Sequence, residues 1–193
     1  MPAKIRGILL AAGYSKRFGS NKLLQALPPG GPDAGVPIAL AAAKHLLEIL
    51  PDSIAVVRPR AQKLAALLRD AGCNTVVCRN AAQGMGTSLA AGVRASDGAD
   101  GWVVALADMP FIRPETIRAV VSAVESGAPI AAPSYRGQRG HPVGFGKACF
   151  EDLSALAGDH GARELLGRHA GSVMVRETDD AGVLRDIDRP SDL

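Results

Sequence analysis

The sequence is poor in aromatic residues and contains no long apolar run. Aromatic residues make up 4% of the 193 residues, too few for a row of base-stacking platforms on a nucleic-acid-binding surface. No apolar stretch reaches the ~20 residues that a membrane-spanning helix requires, so an integral membrane protein is excluded. The amino-terminal segment lacks the apolar core and cleavage site of a secretory signal, which predicts a cytoplasmic location.

Neither sign of charge dominates, and cysteine is scarce. The 22 lysine and arginine residues and 19 aspartate and glutamate residues give a net charge of +3. The basic residues are scattered, so nucleic acid is not an expected partner, whereas a local basic pocket for a phosphorylated small molecule remains open. Cys73, Cys78 and Cys149 lack the paired spacing of a zinc site, and we expect reduced thiols.

The composition is that of a globular protein, with 47% hydrophobic and 21% charged residues. The length suits one ordinary domain, so we expect a single domain over residues 1–193. One stretch, 28–35, collects turn-forming residues without large apolar side chains and is predicted to be a surface loop.

Elsewhere the hydrophobic pattern alternates between strand-like and helix-like periods. Strands are predicted over residues 5–10, 53–57, 74–78, 102–107, 128–132, 142–145 and 173–175. Helices are predicted over residues 36–50, 60–71, 87–95, 114–126, 151–157 and 162–169. This alternation predicts an α/β sandwich with a mostly parallel sheet and helices on both faces. In such sheets ligands bind beyond the carboxyl ends of the strands.

The loop after the first predicted strand combines glycine with positive charge. Lys16 and Arg17 lie between Gly13 and Gly19, and Lys22 follows Gly19 by three residues. Backbone N–H groups together with several cations suit a triphosphate, whose charge must be met by preorganised donors. The spacing is neither that of a Walker A loop nor that of the dinucleotide fingerprint. A surface turn with solvated lysines is the alternative at this point.

Carboxylates occupy two further positions where a ligand could bind. Asp108 follows the apolar strand predicted at 102–107, at the end where ligands bind, and ionised aspartate favours Mg²⁺. Asp186 and Asp188 point the same way if their segment is extended, so both could reach one cation. The alternatives are that Asp108 caps the following turn and that the other two belong to a solvated acidic tail.

Two more glycine-containing loops carry polar side chains. In the first, Gly84 and Gly86 allow the backbone to approach a flat ring. Capping of the following helix by the threonine or serine at 87–88 is the alternative. The second loop places Arg139 and His141 among residues too small to bury a histidine.

Together these motifs are far more specific than any one of them. They occur in the order L-A-A-G-x-S-x-R-x-G-x-x-K, G-M-G-T-S-L, A-L-A-D-M-P, R-G-H-P-V-G-F, G-A-R-E-L-L and D-I-D-R-P-x-D-L. Over nearly its whole length the sequence resembles the MobA-like nucleotidyltransferases, and most closely the molybdenum cofactor cytidylyltransferases. The resemblance implies a three-layer αβα sandwich with a Rossmann-like nucleotidyltransferase fold.

The cytidylyl branch is indicated by Ala12, where related guanylyltransferases usually carry a second glycine, and by the G-H-P triplet 140–142. The methyl group of Ala12 narrows the space for the base. A contact of this size favours a pyrimidine over a purine by about 1–3 kcal/mol. The sequence departs from the family at Phe18, where methionine is common, and in the proline-rich insert 28–35. Aspartates at 186 and 188 replace asparagines often found in the guanylyl branch.

The activity implied by the resemblance is transfer of CMP from CTP to the terminal phosphate of molybdopterin, with release of pyrophosphate. Its implied catalytic residues are Arg17, Lys22 and Asp108, and its implied Mg²⁺ ligands are Asp108, Asp188 and Asp186. The implied nucleotide-binding residues are Leu10, Ala11, Ala12, Gly13, Arg17, Lys22, Gly84, Met85, Gly86, Thr87 and Ser88. The acceptor side is assigned to Arg139, His141 and Arg163.

Other functions remain open from the sequence. GTP could replace CTP, or another phosphorylated acceptor could replace molybdopterin. An oxidoreductase with a nucleotide cofactor is a rival from another class, although no G-x-G-x-x-G motif supports it. A non-catalytic molybdenum cofactor-binding protein is a third reading. The expected partners are CTP or another NTP, molybdopterin, and a molybdoenzyme or insertion chaperone.

Overall fold

The computed structural model describes residues 3–15, 18, 21–159, 161–168 and 170–193. The strands in this part of the chain are β1 Ile5–Ala11, β2 Ile54–Val57, β3 Asn74–Val77, β4 Gly101–Leu106, β5 Ile130–Tyr135, β6 Gln138–Arg139, β7 Val143–Gly146 and β8 Val173–Glu177. The helices are α1 Ile38–Ile49, α2 Gln62–Asp70, α3 Met85–Arg94, α4 Pro114–Glu125, α5 Phe150–Ser154 and α6 Gly161–Arg168.

The strands form one mixed sheet in the order β3-β2-β1-β4-β7-β5-β6, with β8 paired to β5. β1 to β5 and β8 run in one direction, whereas β6 and β7 run against them. The predicted, mostly parallel sheet is therefore confirmed. β1 and β4 lie side by side at its centre, with Leu10 opposite Leu106 at their carboxyl ends.

The sheet is covered on both faces by helices that pack against apolar residues of its central strands. Along β1, Ile5 and Leu9 pack on one side with α1, α2 and α4. Ile8 and Leu10 pack on the other side with α3, α5 and α6. Trp102 of β4 is fully buried, and its indole N–H donates to Ser96 Oγ at 2.9 Å. The predicted sandwich of three layers is confirmed.

The structure corrects the sequence prediction around residues 130–139. β5 continues to Tyr135, and β6 pairs with it as the second strand of a hairpin that the sequence did not predict. Arg136 and Gly137 link the two strands, both with positive φ (51° and 79°). Positive φ at both linking residues is the conformation that a tight hairpin turn requires. Arg139 therefore lies on a short strand rather than in a glycine-rich turn.

The start of α3 also differs from the prediction. The helix begins at Met85, two residues earlier than expected, and is preceded by Gly84 at φ 130°. Thr87 and Ser88 lie inside the first turn, and no side chain caps the helix. The alternative in which one of these hydroxyl groups caps the helix is therefore wrong. Thr87 Oγ1 instead accepts a hydrogen bond from the backbone N–H of Gly158 at 3.1 Å.

The predicted surface loop 28–35 is largely exposed, as expected. Its two ends are held together by the N–H of Leu27, which donates to the Val36 carbonyl at 2.8 Å. Among the described residues, no helix is long and apolar enough to cross a membrane.

Candidate active site

The candidate site lies where β1 and β4 end, at the carboxyl edge of the sheet. Because these parallel strands are neighbours in register, the segments that follow them leave the sheet at the same place. The terminal segment of the chain joins them there. The backbone N–H of Ile187 donates to the Asp108 carbonyl at 2.9 Å, so three segments far apart in the sequence meet at one point.

Lys22 is the centre of this meeting point. Its Nζ donates to Asp108 Oδ2 at 2.9 Å, to the Ile187 carbonyl at 2.6 Å and to Asp188 Oδ1 at 3.1 Å. These contacts use all three donors of the ammonium group, which explains how Lys22 can be only 8% exposed. The structure thus brings Lys22, Asp108 and Asp188 together, as the sequence predicts for the charged part of the site.

The protonation of Lys22 follows from these neighbours. Burial alone would lower the pKa of Lys22, but the hydrogen bonds and negative charges of Asp108 and Asp188 outweigh burial and raise the pKa above its ordinary value. Lys22 is therefore a fixed positive charge at neutral pH. Both carboxylates remain partly exposed, with side-chain exposures of 26% for Asp108 and 36% for Asp188, and can accept a further cation.

Asp188 is held in place by a short turn at the end of the chain. Asp192 Oδ2 accepts hydrogen bonds from the backbone N–H groups of Arg189 at 2.7 Å and Asp188 at 2.9 Å. These bonds lower the pKa of Asp192, which keeps its carboxylate charged. Asp186, two residues before Asp188, is exposed and is not part of the cavity wall described next.

Lys22, Asp108 and Asp188 line an open cavity of about 470 Å³. That volume lies in the usual range for small-molecule sites. The predicted nucleotide-binding residues that line it are Leu10, Ala12, Gly13, Lys22, Gly84, Met85 and Ser88. Ala11, Gly86 and Thr87 are buried and do not line the cavity. Arg17 lies outside the described residues, and the side chain of Arg163 is likewise outside them.

Of the predicted acceptor-side residues, Arg139 and His141 are not part of the cavity wall. Arg139 is exposed on β6 and does not line the cavity. His141 lies near Asp108 and Asp186, and its backbone N–H donates to the Val183 carbonyl at 2.9 Å. Burial lowers the pKa of His141, although both carboxylates act in the opposite direction. His141 is therefore neutral near pH 7 and brings no positive charge to a phosphate.

Several residues of the cavity wall are not assigned a binding role from the sequence, among them Tyr14, Ala81, Ala82 and Asp159. The Arg58 guanidinium lies 4.9 Å from the centre of the Tyr14 ring. Arg58 itself does not line the cavity, but its cation–π contact holds one of the wall residues. Asp159 lies two residues before the first glycine of the G-A-R-E-L-L motif, and this position is the sequence signal for it.

The donor set suits a divalent metal that arrives with a ligand. Asp108 and Asp188 contact the same ammonium nitrogen from two different segments. Among the described residues, no three or more histidine, cysteine, aspartate or glutamate side chains are grouped to hold a metal by themselves. Mg²⁺ commonly uses one or two carboxylates and completes its shell with water and substrate phosphates. The two aspartates fit that kind of binding.

Comparison with known proteins decides the family. The family model described as the MobA-like NTP transferase domain matches residues 7–173. The chain belongs to this family. It is therefore a nucleotidyltransferase, and its donor substrate is a nucleoside triphosphate. The purine catabolism protein PucB of Bacillus subtilis is 35% identical over 96% of this chain and 92% of its own length.

Solved structures agree with the family. Rv0371c from Mycobacterium tuberculosis has a TM-score of 0.80 at 26% identity, covering 100% of this chain and 96% of that one. A nucleotidyl transferase from Methanothermobacter, Mth528, has a TM-score of 0.82 at 25% identity, covering 98% and 94% of the two chains. A further structure of Rv0371c is a complex with manganese, with a TM-score of 0.77 at 26% identity over 98% and 95% of the two chains. The predicted fold class and family are confirmed.

Proposed function

We propose that this nucleotidyltransferase, acting as a single domain over residues 1–193, transfers CMP from CTP to the terminal phosphate of molybdopterin. The observation that carries the proposal is the contact of the Lys22 ammonium with both Asp108 and Asp188. This contact places one ammonium group and two carboxylates beside the glycine-containing loop after β1. That arrangement suits a triphosphate and a divalent cation bound together.

The reaction needs little more than positioning and charge neutralisation. An oxygen of the acceptor phosphate attacks the α-phosphorus of CTP and forms a new P–O bond. The bond from the α-phosphorus to the bridging oxygen breaks, and pyrophosphate leaves with that electron pair. The attacking phosphate is already ionised at neutral pH, so no strong general base is required.

Lys22 holds a fixed positive charge against the triphosphate and the charge that develops on it. Arg17 is proposed as a second cation on the same triphosphate. Asp108 and Asp188 would hold Mg²⁺, with Asp186 in support. When bound, the metal would neutralise negative charge on the phosphates. Arg139, His141 and Arg163 remain proposed for the acceptor side, with His141 acting as a neutral group.

Support for CTP over GTP comes from Ala12. Its side chain is 6% exposed and lines the cavity beside Gly13. A methyl group there leaves less room than the glycine of related guanylyltransferases, which disfavours the larger purine ring. The name of PucB, the relative from Bacillus subtilis, refers to purine catabolism. We therefore propose that the enzyme that receives the finished cofactor from the present protein acts in purine breakdown.

The proposal is tested by incubating the protein with Mg²⁺, molybdenum-loaded molybdopterin and each of the four NTPs in turn. We expect pyrophosphate release and a cytosine dinucleotide product with CTP alone. Pyrophosphate release with GTP and not CTP would contradict the cytidylyl assignment. No release with any NTP, together with turnover of NAD(P)H, would favour the oxidoreductase alternative instead.

A further inference from the structure

The cavity contains a carboxylate that the reaction described above does not use. Asp159 lies after α5, is exposed, and lines the cavity wall. The backbone N–H of Gly86 donates to the Gly158 carbonyl at 2.9 Å, and the N–H of Gly158 donates to Thr87 Oγ1 at 3.1 Å. These two bonds fasten the segment before Asp159 to the first turn of α3.

Asp159 packs directly against the backbone at Gly84. A Cβ added to Gly84 would lie 2.3 Å from Asp159 Oδ1 and 2.4 Å from the Gly158 carbonyl. Both distances are far below any real contact, so glycine is needed here for the two segments to meet. Ala81, Ala82, Met85 and Ser88 line the cavity from the segment that leads into α3 and from α3 itself. Among the described residues of this part of the wall, Asp159 is the charged one.

The charge of Asp159 restricts what part of a ligand can contact it. Four charged side chains of the described residues line the cavity: Lys22, Asp108, Asp188 and Asp159. The first three form one hydrogen-bonded group, and in the described part of the chain Asp159 bonds to none of them. A carboxylate repels phosphate and can only accept hydrogen bonds. The part of a nucleotide that contacts Asp159 must therefore carry donors.

We propose that Asp159 recognises the exocyclic amino group of the nucleobase and so selects CTP over UTP. This inference rests on the proposed function. Cytosine presents an amino donor at the position where uracil presents a carbonyl acceptor, so a carboxylate attracts the first and repels the second. Ala12 cannot make this distinction, because the two pyrimidines have nearly the same size. Ala12 therefore excludes purines, and Asp159 separates the two pyrimidines.

The test is the ratio of kcat/KM for CTP to kcat/KM for UTP, measured by pyrophosphate release in the wild type and in Asp159→Asn. An asparagine amide can donate to the uracil carbonyl, so we expect the ratio to fall about ten-fold or more. Asp97→Asn is the matched control, since Asp97 is an exposed aspartate outside the cavity wall and its substitution removes the same charge. Its ratio should equal that of the wild type.

The outcomes separate this inference from the proposed function. Suppose that the wild type uses CTP. If Asp159→Asn then leaves the CTP-to-UTP ratio of kcat/KM unchanged, or lowers kcat/KM equally for both nucleotides, the role of Asp159 is overturned and the proposed function stays in place. A wild type that transfers no CMP to molybdopterin overturns the proposed function. Calorimetric affinities for CTP and UTP then still test Asp159, because base selection does not depend on the acceptor. Asp159→Ala provides the same affinity comparison if Asp159→Asn is too unstable to assay.

Discussion

Lys22 and Asp108 are 86 residues apart in the sequence, yet the Lys22 ammonium donates a hydrogen bond to Asp108 Oδ2 at 2.9 Å. Asp188, near the end of the chain, accepts a second bond from the same nitrogen at 3.1 Å. A ligand that contacts Lys22 is therefore also next to both carboxylates. This relationship joins the loop after β1, the end of β4 and the terminal segment in one site.

The first prediction concerns the charge of Lys22. Lys22→Met keeps most of the side-chain length and removes the ammonium group, which leaves Asp108 and Asp188 without their shared cation. We expect the rate of pyrophosphate release to fall roughly 100-fold or more, because a preorganised positive charge is lost beside the charge that develops in the reaction. Lys44→Met, on an exposed position of α1, is the control and should retain full activity. Wild-type kinetics in Lys22→Met would remove Lys22 from the site.

The pH dependence of stability provides a second test of the same group. The pKa of Lys22 is higher in the folded protein than in the unfolded chain, so its stabilising contribution is complete below the unfolded value and disappears as pH rises through the folded value. The difference in free energy of unfolding between wild type and Lys22→Met should stay constant from neutral pH to about pH 10 and shrink above that. Urea titrations across this range measure it. A difference that already declines between pH 7 and 9 would show that the pKa is not raised.

Metal binding should depend on the nucleotide. Two carboxylates alone are a weak site, and no larger group of metal-binding side chains occurs among the described residues. Calorimetric titration of Mg²⁺ should therefore show weak binding to the free protein and much tighter binding in the presence of CTP. Asp188→Asn should reduce the nucleotide-dependent part, and removal of metal with EDTA should stop pyrophosphate release. Tight Mg²⁺ binding without nucleotide would contradict this scheme.

Asp180 is expected to determine stability without lining the cavity. Its buried carboxylate accepts hydrogen bonds from the backbone N–H of Arg113 at 2.9 Å, Thr116 Oγ1 at 2.7 Å and the N–H of Gly182 at 2.9 Å. Asp180→Ala leaves these donors unpaired and should cost roughly 3 kcal/mol of unfolding free energy. Asp179→Ala, an exposed neighbour that contacts the Arg113 side chain, should leave the denaturation midpoint nearly unchanged. Equal midpoints for the two variants would count against a structural role for Asp180.

The central strands could be predicted because they are buried on both faces. β4 reads as an uninterrupted apolar run, and β1 places side chains in the core on each side of the sheet. Asp108 was identified for the same reason, since its place at the end of β4 follows from the strand. β6 is not predicted because a two-residue strand has no periodicity; its pairing with β5 and the turn between them define it.

Other parts of the site depend on contacts between distant segments, which a local pattern does not contain. The start of α3 was placed too late because Gly84 and Gly86 weaken the helical signal, while the Gly158 carbonyl, some seventy residues later, holds the first turn. Asp159 was missed for the same reason, because it reaches the cavity through this packing. Asp186 and Asp188 are predicted to point the same way and to reach one cation, but in the described structure only Asp188 contacts Lys22 and lines the cavity.

The most direct test of the account is pyrophosphate release from CTP by Asp108→Ala in the presence of Mg²⁺ and molybdopterin. Asp108 contributes one of the two carboxylates bound to Lys22, and its backbone carbonyl, which a substitution keeps, still anchors Ile187. We predict a folded protein, shown by an unchanged circular dichroism spectrum, with no measurable transfer. Transfer at the wild-type rate in this variant would contradict the nucleotide–metal site at the ends of β1 and β4.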